Sequence, residues 1–286
     1  MVVPEPRDRT SNAKPLSGRT VLLTGGARGL GRLFADALAS AGANLVITAR
    51  DRESLSVVAK ELADRTDQVL ACQADLTDPD AMTRVVSDAT AAFGAVDILV
   101  NNAGVPGPHG PLWETDTDQW WHTLEVNLRG TTRACRAVLP AMTERGFGRI
   151  INIVSAAGKY RWPHASAYSV SKAAVIKLTE NLAPETRDYG VVVLSYHPGL
   201  LDIGLTGDHL RQGPTGDVWT DRIGDWLQEQ RDSGNFTTPE RANEVLIQLA
   251  AGQADALSGR YLTVEDDLAA LSKHAATKSS REQVLS

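Results

Sequence analysis

Short apolar runs alternate with longer amphipathic segments along most of this chain, and this alternation limits the folds that it can adopt. The runs lie at 20–25, 43–50, 68–75, 96–104, 148–155, 191–199 and 260–264. Nearly all are apolar on both faces, which is typical of strands buried in a parallel sheet. The segments between them carry apolar residues at helical spacing. The sequence therefore predicts a doubly wound α/β fold with a seven-stranded, mostly parallel sheet and helices on both faces.

One domain with two irregular ends accounts for this pattern. Hydrophobic residues make up 42% of the 286 positions, which is enough for a full core. We expect a flexible N-terminal tail over 1–17, disordered or packed on a neighbouring subunit, and a C-terminal extension over 266–286. The single domain then covers 18–265, with an insertion at 200–238 that would cover a site as a lid.

Composition excludes several classes of partner. The net charge is -6 and no basic block appears, so nucleic acid is not an expected partner. No stretch approaches the roughly 18 uninterrupted apolar residues of a membrane span, and no apolar run near the start resembles a signal peptide. Cys72 and Cys135 lie in apolar segments and are expected to be buried free thiols. The histidines and cysteines lack metal-ligand spacing. We expect a soluble cytoplasmic protein with no metal site.

A glycine-rich stretch, TGGARGLG, follows the first apolar run and opens the first helical segment. Glycines allow a tight turn and a close approach of the backbone to a pyrophosphate, while the helix N-terminus offers free N–H groups to the anion. A glycine turn without a ligand is the alternative. The position after the first strand favours a Rossmann-type dinucleotide site. Its predicted contacts are Gly25, Ala27, Arg28, Gly29, Leu30 and Gly31.

The end of the second run bears on which dinucleotide is bound. A site selective for NAD usually has an acidic residue there for the ribose 2′-hydroxyl, but this chain has Ala49 followed by Arg50. Arg28 and Arg50 would together hold a 2′-phosphate, although each alone would be an ordinary surface residue. Asp51 weakens the argument by placing a negative charge beside Arg50. The sequence favours NADP(H), with NAD(H) as the alternative.

Five further motifs occur in order along the chain. They are Asn101–Gly104 (NNAG), Asn127, Ser155, Tyr168 with Lys172, and Pro198 with Gly199. Together with Thr24–Gly31 they resemble the short-chain dehydrogenase/reductase family over residues 18–264. By that resemblance Lys172 also holds the nicotinamide ribose, and Asn127 holds a water in a proton relay.

Tyr168 and Lys172 are one helical turn apart and would share a helix face. A tyrosine hydroxyl can protonate a carbonyl oxygen that receives a hydride, but its ordinary pKa of about 10 is poorly matched to neutral pH. A nearby ammonium would lower that pKa. Ser155, 13 residues before Tyr168, would orient the same oxygen. Without the other motifs, the tyrosine and lysine would be an exposed pair of no consequence.

The remaining cofactor contacts follow from strand ends and from the family pattern. Ligands of such folds bind at the carboxyl ends of the strands. The expected contacts are Asp75, Leu76, Asn101, Asn102, Ala103, Gly104, Pro198, Gly199 and Ile203. Ile203 stands where the family often has a threonine, so its backbone N–H would replace that side-chain contact, with Thr206 as a weaker candidate.

Three segments are candidates for the substrate side. Between Ser155 and Tyr168 the aromatic residues Tyr160 and Trp162 are candidate contacts, and Leu200 begins the predicted lid. Trp219, Ile223, Trp226 and Leu227 have helical spacing and would form the apolar underside of that lid, or simply pack on the domain. His109, after the NNAG motif, would touch substrate or be merely solvated.

These features predict an NADP(H)-dependent oxidoreductase acting on a carbonyl/alcohol pair, most simply a ketone or aldehyde reductase with a sizeable apolar or aromatic substrate. An NAD-dependent alcohol dehydrogenase is the alternative, and a non-catalytic NADP(H) sensor is less favoured because Tyr168 and Lys172 are both present. By resemblance we expect a homodimer or a homotetramer. Glu265, Asp266 and Asp267 replace small residues near the last strand and put the tetramer geometry in doubt.

Overall fold

Seven strands form one sheet in the order β3-β2-β1-β4-β5-β6-β7, and every neighbouring pair is parallel. The computed structural model describes residues 14–63, 65–66 and 68–284, with only the backbone for 278–284. The strands are β1 (Thr20–Thr24), β2 (Asn44–Ala49), β3 (Val69–Gln73), β4 (Ile98–Asn101), β5 (Gly148–Ile153), β6 (Val191–His197) and β7 (Tyr261–Thr263). The predicted seven-stranded, doubly wound α/β fold is confirmed, and its sheet is parallel throughout.

Helices connect the strands and cover both faces of the sheet. They are α1 (Gly29–Ser40), α2 (Arg52–Ala63), α3 (Ala81–Phe93), α4 (Thr117–Leu124), α5 (Thr131–Arg145), α6 (Ser166–Thr186), α7 (Gly204–Gln212), α8 (Val218–Asp232), α9 (Pro239–Ala250) and α10 (Leu268–Val284). Alternate strand residues point to opposite faces, so Leu23 joins the core under α1 and α9, while Leu22 joins the core under α3 and α5. This alternation explains why the runs are apolar on both faces.

The strand order reverses between β1 and β4, and that reversal creates a crevice at the carboxyl edge of the sheet. β2 and β3 lie on one side of β1, whereas β5, β6 and β7 follow β4 on the other. Loops that leave β1 and β4 in opposite directions cannot fill the space between them. Ligand sites of open α/β sheets occupy this position.

The segment predicted as one helix over 118–145 consists of three pieces. A π-helical turn, Glu125–Gly130, separates α4 from α5 and contains Asn127. Such turns accommodate an extra residue and are frequent at functional sites. A sequence pattern of apolar spacing does not reveal one extra residue within a long helix, so the prediction missed it.

Leu16 contradicts part of the predicted flexible tail. Its side chain is 0% exposed and belongs to the core of the same chain, and its backbone N–H donates to the carbonyl of Ala41 at 3.0 Å. The ordered domain therefore begins before residue 18. Residues 1–13 lie outside the described residues, and the last segment of the chain forms α10 as far as residue 284.

Candidate active site

A cavity of about 370 Å³ opens at the crevice between β1 and β4. The loops after β1, β2, β3, β4, β5 and β6 all contribute to its wall, together with α6, α7 and α8. Of the predicted site residues, it is lined by Gly25, Ala27, Arg28, Gly29, Leu30, Gly31, Arg50, Asp75, Leu76, Asn102, Ala103, Gly104, Ser155, Trp162, Tyr168, Lys172, Pro198, Gly199, Leu200 and Ile203. The fold thus gathers the predicted cofactor residues and three catalytic candidates into one space.

The glycine loop between β1 and α1 leaves no room for side chains. A Cβ on Gly31 would lie 1.9 Å from the carbonyl oxygen of Gly25. Gly29 has φ 54°, and a Cβ there would lie 2.6 Å from Cα of Gly204, the first residue of α7. The N-terminus of α1 therefore faces the cavity with bare backbone, as a pyrophosphate site requires.

Hydrogen bonds from Asn102 fix the two strand ends that border the crevice. Its side-chain amide donates to the carbonyl of Thr24 at 2.9 Å, and its backbone N–H donates to Oγ1 of Thr24 at 3.0 Å. The neighbouring Asn101 does not line the cavity, which corrects the prediction for that residue. It is buried and donates to Oδ1 of Asn152 at 2.9 Å, because the two asparagines are register partners in β4 and β5 and their side chains lie on the same face of the sheet.

Arg28 and Arg50 both line the cavity where an adenosine ribose would be expected. Arg28 is 3.1 Å from a carboxylate oxygen of Asp208 on α7, and both side chains are largely exposed. Arg50 forms no ion pair within 4.0 Å among the described residues. The Asp51 carboxylate instead accepts from the backbone N–H of Ser54 at 2.8 Å, and hydrogen bonds from Ser54 lower its pKa. Asp51 therefore does not neutralise Arg50 by direct pairing.

Asp75 begins the turn after β3. Its carboxylate accepts from the backbone N–H of Thr77 at 2.9 Å and from the Thr77 hydroxyl at 2.8 Å. Hydrogen bonding from Thr77 lowers the pKa of Asp75 against the opposing effect of burial. The turn presents a fixed carboxylate to the cavity beside Leu76.

The catalytic candidates meet at the end of β5. Lys172 is buried, and its Nζ donates to the carbonyl of Ile153 at 2.9 Å while lying 5.8 Å from the centre of the Tyr168 ring. Ser155 follows β5, and its Oγ accepts from the backbone N–H of Ala157 at 3.2 Å. Helical spacing on α6 places Tyr168 and Lys172 on the face that looks toward β5.

Burial governs the protonation of this pair. It raises the pKa of Tyr168, and the nearby Ser155 hydroxyl acts in the opposite direction. Burial also lowers the pKa of Lys172 to about 8. The expected lowering of the Tyr168 pKa by the ammonium is outweighed by burial, so the net pKa is raised. Desolvation of the phenolate is the larger effect, and the ammonium is held at the Ile153 carbonyl instead.

The lowered pKa of Lys172 has a consequence for stability. The unfolded lysine keeps its proton up to a pKa of 10.5, whereas the folded one loses it near 8. Between those values the unfolded state binds more protons, so the free energy of unfolding should rise with pH by about 3 kcal/mol through this group. The change in the free energy of unfolding can be measured by thermal or urea unfolding at pH 7 and at about pH 10. The two proteins compared are the wild type and Lys172→Met, both without added cofactor.

The comparison with Lys172→Met cancels the titration of other groups. We expect the wild type to gain stability relative to the variant as the pH rises through this window. A constant difference between the two proteins would show that the folded lysine keeps its ordinary pKa, and a relative loss in the wild type would show that folding raises it.

The side chain of Asn127 is buried and does not line the cavity. Its Oδ1 accepts from the backbone N–H of Val105 at 2.8 Å, and its Nδ2 donates to the Val105 carbonyl and to Oγ of Ser171, each at 3.0 Å. These bonds occupy the side chain and tie the loop after β4 to α6. The role of Asn127 in a proton relay stays a prediction.

Two of the four proposed substrate residues do not reach the cavity. Tyr160 is 70% exposed because the short helical turn after Ser155 directs it outward, whereas Trp162 faces inward against Trp226 with ring centres 5.0 Å apart. Trp219 stacks on His164 at 4.1 Å and donates to Glu114 at 3.2 Å. Neither Tyr160 nor Trp219 lines the cavity, which corrects both assignments.

The lid segment forms two helices. Of the four residues predicted to form the underside of a lid or to pack on the domain, Ile223 and Leu227 on α8 are buried and line the cavity, whereas Trp219 and Trp226 do not line it. His209, from α7, also lines the cavity and was missed, because a single histidine on a polar helix carries no pattern. His109 lines the cavity too.

Comparison with known proteins decides the family. A family model described as short chain dehydrogenase matches residues 19–212. The chain belongs to the short-chain dehydrogenase family. Its expected membership is thereby confirmed, and the chain is an oxidoreductase.

Relatives in this family differ in cofactor. A protein described as short chain dehydrogenase pigC of Monascus ruber is 33% identical over 260 residues, which cover 88% of this chain and 80% of the relative. A 2-dehydro-3-deoxy-L-rhamnonate dehydrogenase (NAD(+)) of a Sphingomonas strain is 37% identical over 65% of this chain and 73% of the relative. A crystal structure of an actinorhodin polyketide ketoreductase variant with NADPH superposes with a TM-score of 0.78 at 29% identity, covering 89% of this short-chain dehydrogenase and 99% of the ketoreductase chain.

Two structural features bear on membrane and metal binding. Within the described part of the chain, no helix is long and apolar enough to cross a membrane. The same residues contain no group of three or more histidine, cysteine, aspartate or glutamate side chains that could hold a metal ion. Cys72 and Cys135 are free and buried, as expected.

Proposed function

We propose that this short-chain dehydrogenase is an NADP(H)-dependent reductase that converts a ketone or aldehyde into an alcohol. One observation carries the proposal. The bare glycine loop, the two arginines beside it and the Tyr168–Lys172 pair all line a single cavity. A dinucleotide held at one end would therefore place its reactive ring near a proton donor at the other.

The residues present fit a phosphorylated dinucleotide. The glycine loop leaves space that any Cβ would fill, and the end of β2 has Ala49 where a residue selective for NAD would be acidic. Arg28 and Arg50 would hold the 2′-phosphate through charge-assisted hydrogen bonds. The ketoreductase variant crystallised with NADPH supports this choice, whereas the relative named for NAD(+) keeps NAD(H) as the second candidate.

The proposed chemistry divides between the cofactor and the chain. A bound reduced nicotinamide supplies a hydride to the carbonyl carbon. Tyr168 donates its hydroxyl proton to the carbonyl oxygen, so that an alcohol rather than an alkoxide is released. Ser155 hydrogen-bonds the same oxygen and fixes its direction. The buried ammonium of Lys172 stabilises the phenolate that the proton transfer leaves on Tyr168.

Location and assembly are also proposals. Two free, buried thiols suit the reducing cytoplasm. A homodimer through α4 and α6 would cover Trp121 and Val170, which are 59% and 45% exposed on these helices. A homotetramer is the alternative.

Steady-state reduction of neutral ketones and aldehydes tests the function. With purified protein we expect kcat/KM to be at least about tenfold higher with NADPH than with NADH, because the 2′-phosphate contributes one or more charge-assisted bonds. Faster turnover with NADH, or turnover only in the direction of alcohol oxidation with NAD, would favour the second candidate.

A further inference from the structure

The lid side of the cavity carries no charge. We define it as the cavity residues contributed by 105–109, 162–165 and 200–227. All charged side chains of the lining lie elsewhere, namely Arg28, Arg50, Asp51, Asp75 and Lys172. The lid side is lined mainly by apolar groups, including Pro106, Trp162, Ala165, Leu200, Ile223 and Leu227. A charged substrate group buried there would find no partner of opposite charge, which is costly.

Two histidines interrupt this apolar wall. His109, from the loop after β4, and His209, from α7, have ring centres 5.5 Å apart. Both are connected to Thr220 on α8. The Nδ1 of His109 is 3.3 Å from the Thr220 hydroxyl, and the Nε2 of His209 is 2.9 Å from the Thr220 carbonyl oxygen. Three separate segments therefore hold the two rings in place.

The contact with Thr220 fixes the tautomer of His209. A carbonyl oxygen only accepts, so the Nε2 of His209 carries the hydrogen. In the neutral ring Nδ1 is then an acceptor, and it has no hydrogen-bond partner among the described residues. A ligand with an O–H or N–H group would supply one.

The surroundings of His109 favour its neutral form. Burial lowers the pKa of His109, the neighbouring His209 lowers it further, and Asp217 raises it. Asp217 caps α8 by accepting from the backbone N–H of Thr220 at 2.8 Å, and Asp221 accepts from the backbone N–H of Thr215 at 2.7 Å. Both carboxylates near the histidine pair therefore already accept hydrogen bonds from the backbone.

We propose that His209, held beside His109, determines substrate specificity, and that the substrate is an uncharged ring-containing ketone with a second, hydrogen-bond-donating group such as a hydroxyl. The apolar wall contacts the ring, and the hydroxyl donates to Nδ1 of His209. This inference rests on the proposed reductase function and adds the substrate class to it.

The test compares α-tetralone, its regioisomeric phenolic hydroxy derivatives and a carboxy derivative, each reduced with NADPH. We expect at least one hydroxy isomer to exceed α-tetralone in kcat/KM by about tenfold, mainly through a lower KM, which corresponds to one buried hydrogen bond. The carboxylate should be the poorest substrate. His209→Phe keeps an aromatic ring and removes the acceptor, so the advantage of the hydroxy isomer should vanish. His209→Asn should restore part of it through its amide oxygen.

His274→Phe makes the same chemical change on exposed α10 and should keep the wild-type ratio between the two ketones. The ratio of kcat/KM for the hydroxy isomer to kcat/KM for α-tetralone is taken within each variant, so a general loss of activity cancels. Binding of NADPH by each variant shows that it is correctly folded. If the wild type reduces α-tetralone without any hydroxyl advantage, or prefers the carboxylate, this inference is overturned and the reductase function stands. If none of these compounds or other carbonyls is reduced, both are overturned.

Discussion

A Tyr168→Phe variant should lose most of its ketone reductase activity and keep its affinity for the cofactor. The expected fall in kcat is roughly 10²- to 10⁴-fold, the usual contribution of a positioned proton donor. The phenyl ring preserves the packing of α6 against β5, so the hydroxyl alone is tested. Steady-state kinetics with NADPH, together with tryptophan fluorescence titration of NADPH binding, separates the chemical step from binding.

Tyr160→Phe is the matched control for this prediction. Tyr160 lies eight residues before Tyr168, yet it is 70% exposed and outside the cavity. Its variant should behave as the wild type. Full turnover by Tyr168→Phe would mean that another group, or water, protonates the carbonyl oxygen, and the role assigned to this tyrosine would be wrong.

Removal of the two arginines should change the choice of cofactor. Arg28→Ala and Arg50→Ala should each weaken NADPH binding by about 10- to 100-fold, since hydrogen bonds to charged groups contribute about 1.5–3 kcal/mol. NADH binding should hardly change, because NADH lacks the 2′-phosphate. The effect of Arg28→Ala should be the smaller of the two, since Arg28 must also leave Asp208, which lies 3.1 Å away.

Arg52→Ala supplies the control for this second prediction. Arg52 is exposed at the start of α2, two residues after Arg50, and does not line the cavity. Raising the ionic strength should reduce the NADPH preference of the wild type and leave the double variant unaffected. Equal losses of NADH and NADPH binding in the arginine variants would place these side chains away from a 2′-phosphate.

Much of the fold followed from local pattern. The central strands are buried on both faces and are therefore mostly apolar, so their runs were visible without tertiary information. The edge strands β3 and β7 are partly exposed but are also apolar enough to stand out. The burial of Leu16 could not be predicted, because a single leucine before the first strand resembles part of a tail until the core that it packs into is known. The π-helical turn at Asn127 was hidden for a related reason, since the side chain of Asn127 bonds to Val105 and Ser171, which are distant in sequence.

Part of the candidate site could also be predicted from local sequence pattern, and part could not. The glycines of the loop after β1, and a tyrosine and lysine one helical turn apart, can be recognised from their spacing in the sequence. The direction of a side chain in an irregular loop cannot be recognised in this way. For that reason Tyr160 was assigned to the cavity with Trp162, although only Trp162 faces it. His109 and His209 are brought together by contacts of α7 and α8 with the loop after β4. The pKa of Tyr168 depends on burial, which residue spacing cannot report.

Transfer of deuterium tests the central claim most directly. NADPH deuterated at the transferring position of nicotinamide C4 would be incubated with the enzyme and a neutral cyclic ketone, and the alcohol analysed by mass spectrometry and NMR. The account predicts deuterium on the carbinol carbon, formed faster from labelled NADPH than from labelled NADH, and almost none with Tyr168→Phe. An alcohol without the label, or no alcohol from any carbonyl compound with either cofactor, would contradict it.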